Sequence, residues 1–208
     1  KIISNDQVIP NHDYHVFMVS LPMIFFKSNE IFYKSENFFP SDKKIKIKWK
    51  KKNSNIKSIK IGIHWSTSSL MPEKNLPLKN FISLSNAIDA SFFVLQKDLN
   101  SNEIEVLSQN KKFFYFSDMD KSEDAFIDSI EIIRNLDLII TSDTAVAHLS
   151  ATLNKKTWIV LPFVADWRWF TEKKNTQWYT NVTLYRQKKI GDWKEVFQNI
   201  RDDLKKEF

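Results

Sequence analysis

Residues 138–149 (LIITSDTAVAHL) carry the side chains best suited to chemistry. An apolar, strand-like run leads directly into a helix-like stretch that begins near Asp143 and Thr144. The free N–H groups in the first turn of a helix carry partial positive charge, and they attract an anion where a buried strand ends. His148 follows Thr144 by four residues, so a continuous helix would place both on one face. The segment predicts an anion site at Asp143, Thr144 and the amide of Ala145, with His148 behind them.

The same spacing also fits a purely structural role. Asp143 would then accept hydrogen bonds from the amides of its own helix, and His148 would pack in the core. Spacing alone leaves both interpretations open.

Strand-like and helix-like runs alternate from Ile59 onward, which indicates how this segment is positioned. The predicted strands are 59–64, 92–95, 113–116, 136–140, 158–161 and 182–185. Amphipathic stretches between them predict helices that begin near Pro77, Ser122, Thr144 and Gly191. Continuous apolar strands alternating with helices predict an α/β fold, a Rossmann-like parallel sheet with helices on both faces. Such sheets bind ligands at the carboxyl ends of their strands.

The first quarter of the chain has a different texture. Residues 15–20 form one strand-like run, and a dense run of lysines extends from Lys43 to Lys60. Alternating apolar residues in that run fit an edge strand, whereas Ser41 as an N-cap fits a short helix. In either case we interpret residues 41–55 as a basic linker.

Composition excludes several function classes. The net charge is +6, but only four of the 31 basic residues are Arg and the chain has only two Gly. Because no Gly-rich or repeated basic-aromatic motif is present, we predict no nucleic-acid partner. The absence of Cys excludes disulfides and Cys-ligated zinc and fits a reducing, cytoplasmic compartment. No apolar run reaches the ~18 residues of a membrane span, so no transmembrane segment is expected. The chain begins at Lys1 without Met or a leader, so we expect a fragment of a longer protein.

Two further motifs have functional and structural interpretations. Asp118-Met119-Asp120 is an Asp-x-Asp sequence that could bind a metal. Two acids in a polar loop after a strand are common, however, and we predict no metal and no cofactor.

Trp167-Arg168-Trp169 follows a predicted strand through Pro162 and Asp166. These aromatic rings either overlook the ligand edge, where they would suit a sugar, or plug a helix against the sheet.

Residues 137–170 (DLIITSDTAVAHLSATLNKKTWIVLPFVADWRWF) resemble the donor-binding segment of glycosyltransferase family 9, which includes the bacterial heptosyltransferases. The likeness is greatest to family members fused to tetratricopeptide repeats. Agreeing stretches occur in order over residues 14–205: VSLP at 19–22, IGIHWS at 61–66, VLQK at 94–97, FIDS at 126–129, LYRQ at 184–187 and GDW at 191–193.

This resemblance implies the second domain of a GT-B-type glycosyltransferase, in which two Rossmann-like domains face each other across a cleft. Residues 1–40 would be the tail of the first domain, and residues 56–208 the domain that binds a nucleotide-sugar donor. Transfer would go to a saccharide, lipid-linked or protein acceptor without metal, in the cytoplasm or at the inner face of the membrane. The family's general base lies in the first domain, so the fragment alone is expected to bind donor without turnover.

The resemblance also implies roles for individual residues. The donor-binding residues are expected to be Ser66, Gln96, Asp128, Asp143, Thr144, Ala145 and His148, with the nucleoside near Gln96 and Asp128. Possible sugar or acceptor contacts are Lys74, Asp166, Trp167 and Arg168. The 67–72 loop lacks the family's Gly and Asn-Pro, Lys74 stands where Arg is usual, and Ala125 replaces an acid. These departures slightly favour an alternative, a non-catalytic sensor of sugar nucleotides or an interaction module that kept the fold. The retained Asp143-Thr144 and His148 favour the enzyme.

Overall fold

The computed structural model describes residues 7–21, 24, 39, 41–67, 71–121, 125–171 and 173–208. The chain divides into two compact units, Lys1–Glu30 and Ile31–Phe208. In the first unit, Met18–Ser20 form a 3-10 turn, so the strand predicted at residues 15–20 is wrong. The turn is closed locally, because the Ser20 N–H donates to the Phe17 carbonyl at 2.8 Å. The assignment of residues 1–40 to a preceding domain stays a prediction.

The second unit is built on a parallel sheet of six strands in the order β3-β2-β1-β4-β5-β6. The strands are β1 (Ile59–His64), β2 (Ala90–Val94), β3 (Phe113–Phe114), β4 (Leu138–Ser142), β5 (Thr157–Leu161) and β6 (Val182–Arg186). The helices are α1 (Lys43–Asn53), α2 (Leu78–Ser85), α3 (Ser101–Ser108), α4 (Ile127–Arg134), α5 (Ala145–Thr152) and α6 (Trp193–Glu207). Within the described residues, none of these helices combines the length and the apolar character that crossing a membrane requires.

Helices cover both faces of the sheet. Alternate side chains of the central strands, such as Ile61 and Ile140, pack with α2, α3 and α6. Side chains of the opposite parity, such as Phe93 and Ile139, pack with α1, α4 and α5. β2, β4 and β5 are buried along their whole length, because both of their faces lie against helices. The predicted α/β, Rossmann-like fold class is confirmed.

The order of the strands reverses between β1 and β4. These two strands pair in parallel, with Ile61 opposite Leu138. From β1 the chain continues through α2 to β2, whereas from β4 it continues through α5 to β5 on the other side. Gly62 permits the close packing at this point, because a Cβ there would lie 2.6 Å from Leu136 Cδ1. The two connections diverge, so a crevice opens at the carboxyl ends of β1 and β4.

The predicted linker is the well-ordered helix α1. Asp42 rather than Ser41 is the N-cap, and its carboxylate accepts from the amides of Lys44 and Ile45. Trp49 is fully buried, and its indole Nε1 donates to Asp128 Oδ1 of α4 at 2.6 Å. Residues 43–53 therefore pack as part of the second unit, because one apolar face interrupts the run of lysines.

Two more helices differ from prediction. α3 was not predicted, although Asn100 and Glu103 form a reciprocal capping box that is visible in the sequence. α4 begins at Ile127, and Phe126 precedes it in the left-handed conformation with φ 66°. Phe126 is therefore 40% exposed instead of pointing into the core with the helix. The predicted start at residues 122–124 lies outside the described residues.

We expect Trp49→Ala to lower the free energy of unfolding by about 3–5 kcal/mol, because it leaves a large cavity and removes a hydrogen bond from Asp128. Ile47→Ala is the matched control, since Ile47 lies on the same helix and is 68% exposed. This control should change the free energy by about 0.5 kcal/mol or less. Denaturant unfolding of both variants makes the comparison, and equal small effects would show that α1 contributes no core packing.

Candidate functional site

A cavity of about 760 Å³ opens at the carboxyl ends of β1, β2 and β4. We call it the switch cavity, because it lies where the strand order reverses. Its lining residues include His64, Ser66, Lys74, Gln96, Asp120, Ser129, Thr144 and Ala145. The amino ends of α4 and α5 both border it. The electrostatic character of the cavity therefore depends on whether the first backbone N–H groups of each helix already have hydrogen-bond acceptors.

Lys74 and Asp143 form an ion pair in the wall of the switch cavity. Lys74 Nζ lies 2.7 Å from Asp143 Oδ2, and the two side chains are 13% and 2% exposed. Asp143 thus holds the ammonium group in place. The structural interpretation required it to cap its own helix instead, and it does not. Lys74 comes from a 3-10 turn at Pro72–Lys74, which brings it across from β1 to the end of β4. An ammonium group has three donors, so Lys74 can bind a second anion while it keeps this partner.

The amino end of α5 has no side-chain cap. Thr144 is the N-cap residue, but its side chain accepts no hydrogen bond from the helix. Ala145, the first helical residue, is exposed and lines the cavity. Unbonded amides of a first turn favour an anion, so this end of α5 provides a positive site.

The amino end of α4 is already satisfied. Asp120 Oδ1 accepts from the backbone N–H groups of Asp128 at 2.8 Å and Ser129 at 3.2 Å, and Ser129 Oγ donates to Asp120 Oδ2. Asp120 therefore serves as a cap from outside the helix. Of the two helix ends at the cavity, only that of α5 offers amides to a ligand.

His64 lies at the end of β1 beside Thr144. Its Nδ1 is 3.4 Å from Thr144 Oγ1, which is also 3.4 Å from Thr141 Oγ1. Burial of the ring lowers the pKa of His64 to about 4, so the imidazole is neutral at pH 7. A neutral ring can orient the Thr144 hydroxyl without adding charge to the cavity.

Ser66 and Gln96 are brought together on the β2 side of the cavity. The Ser66 N–H donates to Gln96 Oε1 at 3.0 Å, which fixes the loop after β1 to the loop after β2. Both line the switch cavity, as do Lys97 and Asp98 beyond them. The prediction that Ser66 and Gln96 share one edge with Thr144 agrees with this arrangement.

Two predicted donor-binding residues lie outside the cavity. Asp128 is buried, and its carboxylate accepts from Trp49 Nε1, Lys48 Nζ and the Asp120 N–H. It therefore links α1 to α4 and is not among the residues that line the switch cavity.

His148 packs against Trp169, with ring centroids 5.3 Å apart, and its Nδ1 lies 3.0 Å from Tyr179 Oη. Burial lowers its pKa. Thr144 adopts an extended conformation, with φ −139° and ψ 177°, so it precedes the helix. The expected common face with His148 is therefore absent, and the structural interpretation holds for this histidine.

The two rings of the Trp167-Arg168-Trp169 motif have different environments. Trp169 is fully buried and packs on α5, as the plug interpretation predicts. Trp167 is 53% exposed, and the Arg168 guanidinium lies 5.9 Å from its ring centroid. Asp166 pairs with Arg168 at 3.2 Å. None of these residues lines the switch cavity. Of the four residues expected as possible sugar or acceptor contacts, Lys74 alone does so.

The Asp-x-Asp motif is divided between two structural roles. Asp118 pairs with Lys52 at 3.0 Å and with Lys48 at 3.1 Å, and hydrogen bonds from Lys52 and then Lys48 lower its pKa. Asp120 caps α4. Within the described part of the chain, no group of three His, Asp or Glu side chains is arranged to hold a metal ion.

Sequence reasoning missed His64, Thr67, Asp120 and Ser129 as cavity residues. His64 had a usable signal, because it is a polar residue that ends an apolar strand of a parallel sheet. Asp120 had none, since its role depends on a helix that begins seven residues later.

Solved structures with a similar fold include heptosyltransferases and a family 9 glycosyltransferase. The chain matches E. coli ADP-heptose LPS heptosyltransferase II with a TM-score of 0.58 and 12% identity, over 81% of this chain and 52% of that one. It matches a family 9 glycosyltransferase of Veillonella parvula with a TM-score of 0.54 and 10% identity, over 84% of this chain and 47% of that one. It matches E. coli heptosyltransferase WaaC with ADP-2-deoxy-2-fluoro heptose with a TM-score of 0.51 and 11% identity, over 74% of this chain and 46% of that one.

This chain spans about half the length of those proteins. The domain has their glycosyltransferase-like fold. A scan of protein-family models gave no match, and a search of curated proteins gave none.

The depressed pKa of His64 predicts a pH dependence of stability. Between pH 6.5, the ordinary value, and about 4, the unfolded chain binds a proton that the folded chain does not. The free energy of unfolding should therefore fall as the pH drops through this window, by about 3 kcal/mol in total from this residue. His64→Asn keeps a hydrogen-bond partner for Thr144 and removes the titration. Denaturant unfolding should show a smaller loss for the variant, and parallel curves for the two proteins would contradict the assignment.

Proposed function

We propose that this chain is the donor-binding part of a GT-B-type sugar transferase, with the nucleoside diphosphate of a nucleotide sugar bound in the switch cavity. One observation carries the proposal. Lys74, fixed by Asp143, and the uncapped amides of α5 converge on one cavity at the reversal of strand order. Ligands of open α/β sheets bind at this position.

The diphosphate would lie against Thr144, Ala145 and Lys74. When the sugar leaves, negative charge develops on the phosphate oxygens, and preorganised N–H and ammonium donors stabilise that charge most where water is excluded. The nearly complete burial of Asp143 keeps the ammonium in position before the ligand arrives. The Thr144 hydroxyl, oriented by neutral His64, would add one more donor.

The nucleoside would extend toward the β2 side of the cavity. Gln96 and Ser66 provide polar groups there, and Phe126, which is 40% exposed, also lines the cavity. Asp98, and not Asp128, would contact the ribose, because Asp98 is an exposed carboxylate that lines the cavity. Such a carboxylate can accept hydrogen bonds from ribose hydroxyls.

Metal independence is part of the proposal. Lys74 and the α5 amides meet the phosphate charge, while Asp118 and Asp120 are committed to lysines and to α4. We further propose that the general base comes from a preceding domain, of which residues 1–40 would be the end. A cytoplasmic location, expected from the cysteine-free sequence, belongs to the same proposal.

Calorimetric titration of the chain with ADP, UDP, GDP and their sugar conjugates tests the donor site. At least one should bind. Thr144→Val and Lys74→Met should each weaken binding by about 1–2 kcal/mol, because each removes a hydrogen bond to a charged phosphate. His148→Gln is the control, since His148 packs outside the cavity, and it should leave affinity unchanged even if the melting temperature falls.

Failure of every nucleotide to bind at millimolar concentration would overturn the donor site. Equal weakening by His148→Gln would place the ligand elsewhere. A chelator should leave the affinity within a few-fold, and a tenfold loss, about 1.4 kcal/mol, would show that binding needs a metal.

A further inference from the structure

A second cavity lies beside the switch cavity and has a different chemistry. It encloses about 370 Å³ and is lined by Pro72, Glu73, Asn75, Phe163, Gln187 and Trp193, among others. We call it the side cavity. Its volume is within the range of about 300–1,000 Å³ that is typical of small-molecule sites.

The two cavities share one wall. Met71 and Lys74 line the switch cavity, whereas Glu73 and Asn75 line the side cavity. Because these residues are consecutive, a single backbone segment separates the two spaces. Asn75 is held in this wall by the Thr67 N–H, which donates to Asn75 Oδ1 at 2.7 Å. A ligand in the side cavity would therefore lie next to the residue that meets the donor phosphate.

Gln187 lines the side cavity and also a neighbouring cavity of about 390 Å³, and it has an unused hydrogen-bond donor. The residue is only 4% exposed, and its Oε1 accepts from the Phe163 N–H at 3.1 Å. Its Nε2 is buried and has no hydrogen-bond partner among the described residues. A buried donor without a partner is unfavourable, so a ligand oxygen that reached Gln187 Nε2 would be stabilised there.

The remaining walls combine aromatic surface with one carboxylate. Phe163 is 48% exposed and Trp193 is half-buried, so both rings are available to the cavity. Glu73 is exposed and is the one ionisable side chain among the described residues that line the cavity. A negative wall disfavours phosphates and other anions, and a hydrocarbon chain would leave Gln187 and Glu73 unsatisfied.

We propose that the side cavity binds a neutral saccharide. The aliphatic face of a sugar ring would pack on Trp193 and Phe163, a sugar oxygen would accept from Gln187 Nε2, and a hydroxyl would donate to Glu73. This saccharide site does not depend on the proposed donor function.

Side-chain NMR signals of Gln187 and Trp193 provide the test. The ¹⁵N-labelled chain is titrated with the methyl glycosides of glucose, galactose and mannose, and with cyclohexanol as an apolar probe. At least one glycoside should shift both the Gln187 amide and the Trp193 indole signals. Glu73→Gln, at an exposed position that should not disturb folding, and Gln187→Glu, which keeps Oε1 and removes the donor, should each weaken binding at least fivefold. Trp167→Leu removes an exposed Trp outside the cavity and should have no effect.

The proposal is overturned if no glycoside shifts these signals, or if cyclohexanol shifts them equally well. It is also overturned if Glu73→Gln and Trp167→Leu have equal effects. ADP titration of the same samples keeps the two proposals apart, because it reports on Ala145 and not on Gln187. Glycoside binding without ADP binding would remove the proposed donor function and leave the saccharide site in place.

Discussion

The reversal of strand order between β1 and β4 is the constraint on which the site depends. Right-handed crossovers send α2 to one face of the sheet and α5 to the other, as the two packed clusters show. The loops that follow β1 and β4 therefore diverge, and the space between them cannot be filled by either connection. The switch cavity is a consequence of this topology, and local side chains decide only what it binds.

Those side chains give the two helix ends at the cavity opposite properties. Asp120 satisfies the first amides of α4, and Trp49 and Lys48 hold Asp128 next to it. At α5, by contrast, the nearby carboxylate of Asp143 is directed to Lys74, and no side chain of the described residues caps the helix. An aspartate thus neutralises the amino end of α4, whereas at α5 an aspartate holds the ammonium group of Lys74 in place. This asymmetry is the reason the proposed diphosphate site lies beside α5 and not beside α4.

The sequence was sufficient for the sheet and for the general position of the site. Apolar runs identified the six strands of the described sheet, and the strand-to-helix junction at Asp143 and Thr144 indicated the edge where the switch cavity opens. Sequence spacing was insufficient wherever a contact joins distant residues. Lys74 and Asp143 are 69 residues apart in the chain, and Trp49 and Asp128 are 79 apart. His148 was misplaced for a different reason, because the helical spacing rule does not apply to Thr144, which adopts an extended conformation before the helix begins.

Backbone amide NMR with ADP tests the central claim, that a diphosphate binds at the amino end of α5 and not at that of α4. The account predicts large shifts for the amides of Thr144, Ala145 and Val146, and small shifts for Asp128 and Ser129, whose amides are already bonded to Asp120. Large shifts at Asp128 and Ser129 with none at residues 144–146 would contradict it.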